Sequence, residues 1–266
     1  MLRKLALLLF SLAVIGQEPK LPGDELPQGG SVIPAREQLT VEADDGITVV
    51  DWNVVPAASE GDAYDAFYLF AEIRNDGNRA VWLVGRTQFL DAQGEELRKS
   101  VTEEFFPRYL APGQTGYLTT AYDSWLWNRL ATPDTLSEIR LTVESDEAHF
   151  FWQTYWYGLP ATAMYVPQGA QVEEIGDGLR VSWRNETGLM LPNPSVAVGA
   201  YDAEGRLLYA LADEVTTGNS GHDCYVPDGS GFALELTLEA EVRECLKRLG
   251  DVAAEYRGIV YGRLRP

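Results

Sequence analysis

Three turn landmarks occur in this chain twice, in the same order and at nearly the same separations. The first is an apolar run that closes in Arg-Asn, at Arg74-Asn75 and again at Arg184-Asn185. The second is the turn Asp91-Ala92-Gln93-Gly94, matched by Asp202-Ala203-Glu204-Gly205. From Asn75 to Asp91 is 16 residues, and from Asn185 to Asp202 is 17. The third is a proline turn, with Pro112-Gly113-Gln114-Thr115-Gly116-Tyr117 set against Pro227-Asp228-Gly229-Ser230-Gly231-Phe232. A chain that repeats its turns at fixed separations repeats the unit those turns connect. The expectation is two copies of one domain, over residues 41–157 and 158–266. Gly158, Pro160 and Pro167 interrupt regular structure at the seam.

What lies between the turns is strand. Residues 47–55 (ITVVDWNVV), 66–74, 80–90, 117–121, 139–143 and 150–157 are rich in β-branched and aromatic residues and poor in helical periodicity. Asn75-Asp76-Gly77-Asn78 and the Asp-x-x-Gly turns supply the positive-φ residues that tight connections need. Short strands with a turn every 8 to 15 residues or so indicate antiparallel β-sandwiches. One helix is expected in the second copy. Residues 238–249 place Leu238, Val242, Cys245, Leu246 and Leu249 on one face, and Gly250 ends the run. Residues 124–130 hold the matching place in the first copy, and residues 255–264 read as a last strand.

The amino terminus reads as an address. Arg3 and Lys4 precede an apolar stretch, residues 5–15, broken only by Ser11, and Gly16 closes a signal-peptidase pattern. That stretch is about half of what a bilayer-spanning helix requires. Residues 1–16 are therefore expected to be a cleaved secretory signal. Residues 17–40, with Pro19, Pro22, Pro27 and Pro34, are expected to be a flexible leader. The chain of 266 residues carries 21 Lys and Arg against 40 Asp and Glu, a net charge of −19. Such a surface repels phosphate backbones, which excludes nucleic acid as a partner. No later stretch is apolar and long enough to span a membrane, so a secreted or envelope location is expected.

The repeated landmarks resemble the FxLYD family of extracytoplasmic immunoglobulin-like domains. Asn75, Phe89-Leu90-Asp91, Gly94 and Pro112-Gly113 carry the resemblance in the first copy. Asn185, Tyr201-Asp202, Gly205 and Pro227 carry it in the second. The resemblance implies an all-β protein of two tandem immunoglobulin-like antiparallel β-sandwiches, and the periodicity of residues 238–249 adds a short helix in the second. It implies non-catalytic modules and no cofactor.

Few residues suggest chemistry. Cys224 and Cys245 flank the Pro227 turn in an oxidising compartment, and a disulfide is expected there over the alternative of two free thiols. Gly218-Asn219-Ser220-Gly221-His222 lacks the supporting groups a nucleophilic serine needs. His222, Asp223 and Cys224 are too close in sequence to surround one ion, and Asp44-Asp45 with Glu60 and Asp62 reads as solvated acid, so no metal is expected. The aromatic run from His149 to Tyr157 is the one unusual segment. On a strand, Trp152 and Trp156 share one face and Tyr155 the other. Exposed, Trp152, Tyr155 and Trp156 would form a ligand-binding surface suited to sugar rings; buried, they would be core or interdomain packing. The two functional expectations are an interaction or scaffold module that holds a protein partner, and a polysaccharide-binding protein.

Overall fold

A computed structural model describes residues 39–57, 66–97, 101–103, 105–123, 137–146, 168–215 and 224–262. The signal and most of the leader lie outside these residues. So do the aromatic run with Trp152, Tyr155 and Trp156, residues 124–130, and the segment from Gly218 to Asp223.

The first half of the chain forms two facing sheets. One contains β1 (Leu39–Ala43), β9 (Glu138–Ser145), β4 (Val81–Leu90) and β5 (Val101–Glu103) in that order, with β7 (Tyr109–Leu110) on the far end of β4. The other runs β2 (Ile47–Ala57), β3 (Ala66–Asn75), β8 (Thr115–Asp123) and β6 (Phe105–Phe106). Alternation decides the faces: Ile139, Leu141 and Val143 of β9 are buried while their neighbours are half-exposed. They meet Leu69, Ala71 and Ile73 of β3 and Leu118 of β8 in one apolar core. Strand β1 starts inside the stretch expected as leader. Leu39 is buried and pairs with Ile139, so apolar burial pulls residues 39 and 40 into the sheet.

The second half repeats the plan. Strands β14 (Leu207–Glu214), β13 (Ser195–Tyr201), β17 (Glu255–Tyr261), β10 (Gln168–Ile175), β11 (Gly178–Arg184) and β16 (Gly231–Thr237) are joined in that order. Strand β10 serves both layers: residues 168–170 pair with β17 and residues 171–175 with β11. In the first copy those two tasks fall to separate strands, β1 beside β9 and β2 beside β3. The copies differ in one direction. β1 runs parallel to β9, whereas the start of β10 runs antiparallel to β17. A short ladder of β12 (Leu191–Pro192) with β15 (Tyr225–Val226) closes one end. The chain is thus an all-β sandwich protein with one described helix, α1 (Ala240–Leu249).

The repeated landmarks make repeated hydrogen bonds. The Asn75 amide donates to Arg79 O and Leu110 O at 2.8 and 2.9 Å, and its Oδ1 accepts from Gly77 N at 2.9 Å. The Asn185 amide donates to Leu189 O and Val226 O at 2.7 and 2.8 Å, and its Oδ1 accepts from Thr187 N at 3.2 Å. Both side chains are fully buried. Asp91 and Asp202 each accept two backbone amides across their turns. The proline turns align one residue differently from the sequence pairing. Gly113 N donates to Asn75 O and Gly229 N to Asn185 O, both at 2.7 Å. Those glycines share a φ of +77°, so Ala111, not Pro112, occupies the place of Pro227. The positive-φ position fixes the turn, and the proline is free to sit on either side of it.

Helix α1 buries Val242, Cys245 and Leu246, as its spacing predicts, and Gly250 caps it in the left-handed conformation. The expected disulfide is not present: Cys224 and Cys245 are buried free thiols. Each is held by its own element. Cys224 N donates to Asn193 Oδ1 at 2.7 Å, and Cys224 O accepts from Asn193 N at 2.6 Å, beside the β12–β15 ladder. Cys245 packs on the inner face of the helix, where burial pushes its thiol up to about 11. Both act as small apolar side chains.

Candidate functional site: the contact between the two sandwiches

A group of buried polar side chains lies where the two halves meet. It begins with the register of β2. Ile47 and Val49 face the first core, and so do Trp52 and Val54. An odd-to-even change of this kind needs one extra residue, and the β2–β3 ladder slips between Val49 and Asp51. Val50, the extra residue, is 40% exposed. After the bulge, Asp51, Asn53 and Val55 sit on the outer face of the sheet, beside Tyr68, Phe70 and Glu72 of β3 and Tyr117 of β8.

That outer face is covered by the second sandwich. Val55, Phe70 and Tyr117 are at most 2% exposed and belong to the second core, in one cluster with Tyr201 and Leu208. Strand β13 explains its own composition here. All seven of its residues are buried, because one face closes its own core and the other meets the first sandwich. Its partner β14 is bulged as well: Ala200 pairs with Tyr209 and Tyr201 with Leu207, which leaves Leu208 out of the ladder. The first sandwich takes up the backbone around that bulge. Asn53 Nδ2 donates to Leu208 O at 2.8 Å, and Leu207 N donates to Asp51 Oδ2 at 2.7 Å.

A polar chain runs through the middle of the contact. The hydroxyls of Tyr117 and Tyr201, one from each sandwich, share a hydrogen bond of 2.8 Å. The carboxylate of Glu72 lies beside the Tyr201 hydroxyl. The Arg257 guanidinium lies 4.0 Å from the centre of the Tyr201 ring and is held by Glu255 at 2.9 and 3.0 Å. Glu72 is only 6% exposed. Burial raises its carboxyl above the ordinary 4.5, and the charge of Asp51 adds to that; the Tyr201 hydroxyl and the charges of Arg257 and Arg74 pull the other way. Burial also pushes the Tyr117 hydroxyl up to about 12. Gly199 makes room for the pair. A Cβ there would lie 2.6 Å from a Tyr117 ring carbon and 2.7 Å from the Tyr201 hydroxyl.

None of these residues is marked by a sequence motif. Tyr201-Asp202 stands out as a turn landmark, and the structure gives Tyr201 a second task at the contact. The lone carboxylate in an otherwise apolar outer stripe, Tyr68-Phe70-Glu72, was the available signal. Asp44, weighed as a metal oxygen, serves its own fold: its Oδ2 accepts from Ser145 N and Ser145 Oγ at 2.8 and 3.2 Å. The ligand-binding reading of Trp152, Tyr155 and Trp156 rests on residues outside those described.

The fold and this contact define a class: an all-β protein of two β-sandwiches packed face to face. No protein-family model matches the chain, and no curated protein matches it. Among solved structures, it is similar to a red sea bream transglutaminase at 11% identity and a TM-score of 0.21, over 72% of this chain and 27% of that one. It is also similar to a conserved protein of unknown function from Pseudomonas aeruginosa at 10% identity and a TM-score of 0.14, over 80% of this chain and 98% of that one.

Proposed function

We propose that this protein is a secreted or envelope-located, non-catalytic interaction module, in which two β-sandwiches act as one body that presents its outer surfaces to a protein partner. One observation carries the reading: the buried contact hydrogen-bonded through Tyr117 and Tyr201, with Glu72 beside them and Asp51 and Asn53 bonded to the second sandwich's backbone. Apolar burial alone tolerates several docking angles, whereas a satisfied polar network inside it penalises every arrangement that breaks a bond. A fixed angle between sandwiches suits a spacer or scaffold. Three of the other buried polar side chains support the non-catalytic part, since Asn75, Asn185 and Asp202 are engaged in holding turns, while Thr87 and Glu103 are bonded to the Tyr122 hydroxyl inside the first sandwich. The amino-terminal signal pattern supports the location. Among the described residues, no helix is long and apolar enough to cross a membrane.

The test is photo-crosslinking in the source cells. The chain is expressed with its own amino terminus, and a photoreactive residue replaces Gln93, Glu186, Tyr225 or Glu235 in turn, all exposed positions. The expected result is a discrete protein adduct from at least one position, recovered outside the cytoplasm. Retention of the chain in the cytoplasm, or no discrete adduct from any of the four, overturns the proposal.

A further inference from the structure

The second sandwich has a cavity of about 240 Å³ between α1, the β10–β11 turn, β14 and the segment that leads from the helix into β17. Its lining includes Leu208, Leu238 and Leu246 as apolar surface. Arg243 and Lys247, one helical turn apart on α1, contribute two cations to the same lining. Arg243 is unusual. Its side chain is 38% exposed, yet its Nη1 is buried and has no hydrogen-bond partner, and the nearest carboxylate oxygen, Asp177 Oδ2, is 3.8 Å away. That distance is an ion pair without a hydrogen bond. A buried guanidinium nitrogen with an unused donor costs stability, and an acceptor entering the cavity would offset the cost.

The remaining charges narrow the choice of acceptor. Glu174, Asp177 and Asp251 also line the cavity, and the three carboxylates outnumber the two cations. A doubly charged phosphate meets net repulsion there. A single carboxylate meets about half as much, and it matches the planar fork of a guanidinium. Tyr256 donates to Glu174 Oε2 at 3.2 Å, which ties that acid to the opposite wall. The volume is small for a drug-sized ligand. We infer that this cavity binds a small monocarboxylate with an apolar body, its carboxylate on Arg243 and Lys247 and its body against Leu208, Leu238 and Leu246. The inference stands apart from the proposed scaffold role.

Hydrocinnamate is the probe, titrated into the full chain and followed by amide chemical shifts of Gly176, Asp177, Val252 and Ala253. Hydrocinnamyl alcohol and phenyl phosphate are the comparisons. The expected result is saturable shifts with hydrocinnamate and weaker binding of both other compounds. Arg243→Gln should weaken hydrocinnamate by about tenfold or more. Val252→Glu should weaken it too, and that side chain, 74% exposed at the cavity, leaves the packing untouched. Absence of saturable shifts, equal or tighter binding of the alcohol or the phosphate, or unchanged affinity in both variants overturns the inference.

Discussion

Glu72 shows how a side chain that reads as solvent-facing becomes a structural group. Its neighbours in β3 alternate, and position 72 falls on the face away from the first core. Alternation says which face a residue takes, and the second sandwich decides whether that face meets water. The consequence is a pH dependence with a definite sign. Burial raises the folded pKa of Glu72 above its ordinary 4.5. Between those two values the folded chain holds the proton more tightly than the unfolded chain. The contribution of Glu72 is therefore present in full below 4.5 and is lost as pH rises through the folded value. Glu72→Gln keeps the shape without the charge. Thermal melts of wild type and variant at pH 5 and pH 7 isolate the effect, because the other carboxylates are common to both. The difference, variant minus wild type, is expected to be more positive at pH 7. An identical difference at the two pH values sinks the argument. By contrast, the two buried asparagines are legible in the sequence, since what they bond is largely the turn they belong to.

At the scale of elements, two bulges and one glycine set the contact. The bulge in β2 turns Asp51, Asn53 and Val55 outward, and the bulge in β14 leaves backbone groups at Leu207 and Leu208 for Asp51 and Asn53 to satisfy. Neither bulge is readable from composition: 47–55 is an uninterrupted strand pattern, and Val50 differs from Val49 only in where it falls in the ladder. Gly199 is likewise silent, one small residue in a strand of small and apolar residues. Its replacement has a predictable effect. In Gly199→Val the new side chain must displace Tyr117 or Tyr201, and overpacking of this kind costs about 1–3 kcal/mol. The loss should be local to the contact. Hydrogen exchange at the Leu207 amide, which is bonded to Asp51, should speed up, while the Leu141 amide in the first core keeps its protection. Equal loss at both amides would mean that the strain spreads through the fold instead.

For the whole molecule, the second core contains residues of the first sandwich. Val55, Phe70 and Tyr117 lose their surroundings if the sandwiches part. Unfolding should therefore be one transition. Urea titrations followed by amide signals from Leu141 in β9 and Val260 in β17 are expected to share a midpoint. Phe70→Ala removes a ring that is 1% exposed, at a cost of about 3–5 kcal/mol, and should lower both midpoints together. A fall at Val260 alone would show that the sandwiches are independent units joined by a weak contact.

Local chemistry along the chain is enough to define the unit and its duplication. Turns depend on φ, on glycine and on side chains that bond their own backbone, all of which are local, so Asn75, Asp91 and Gly113 and their counterparts announce themselves. Away from the two bulges, the face of each strand follows from period, as does the buried stripe of α1. Tertiary structure decided what those faces meet. The free state of Cys224 and Cys245, the burial of Glu72, the pairing of Tyr117 with Tyr201 and the orphaned nitrogen of Arg243 all depend on groups brought together from distant parts of the chain. Proximity of that kind arises from packing two sheets at one angle, and no spacing along the chain encodes it.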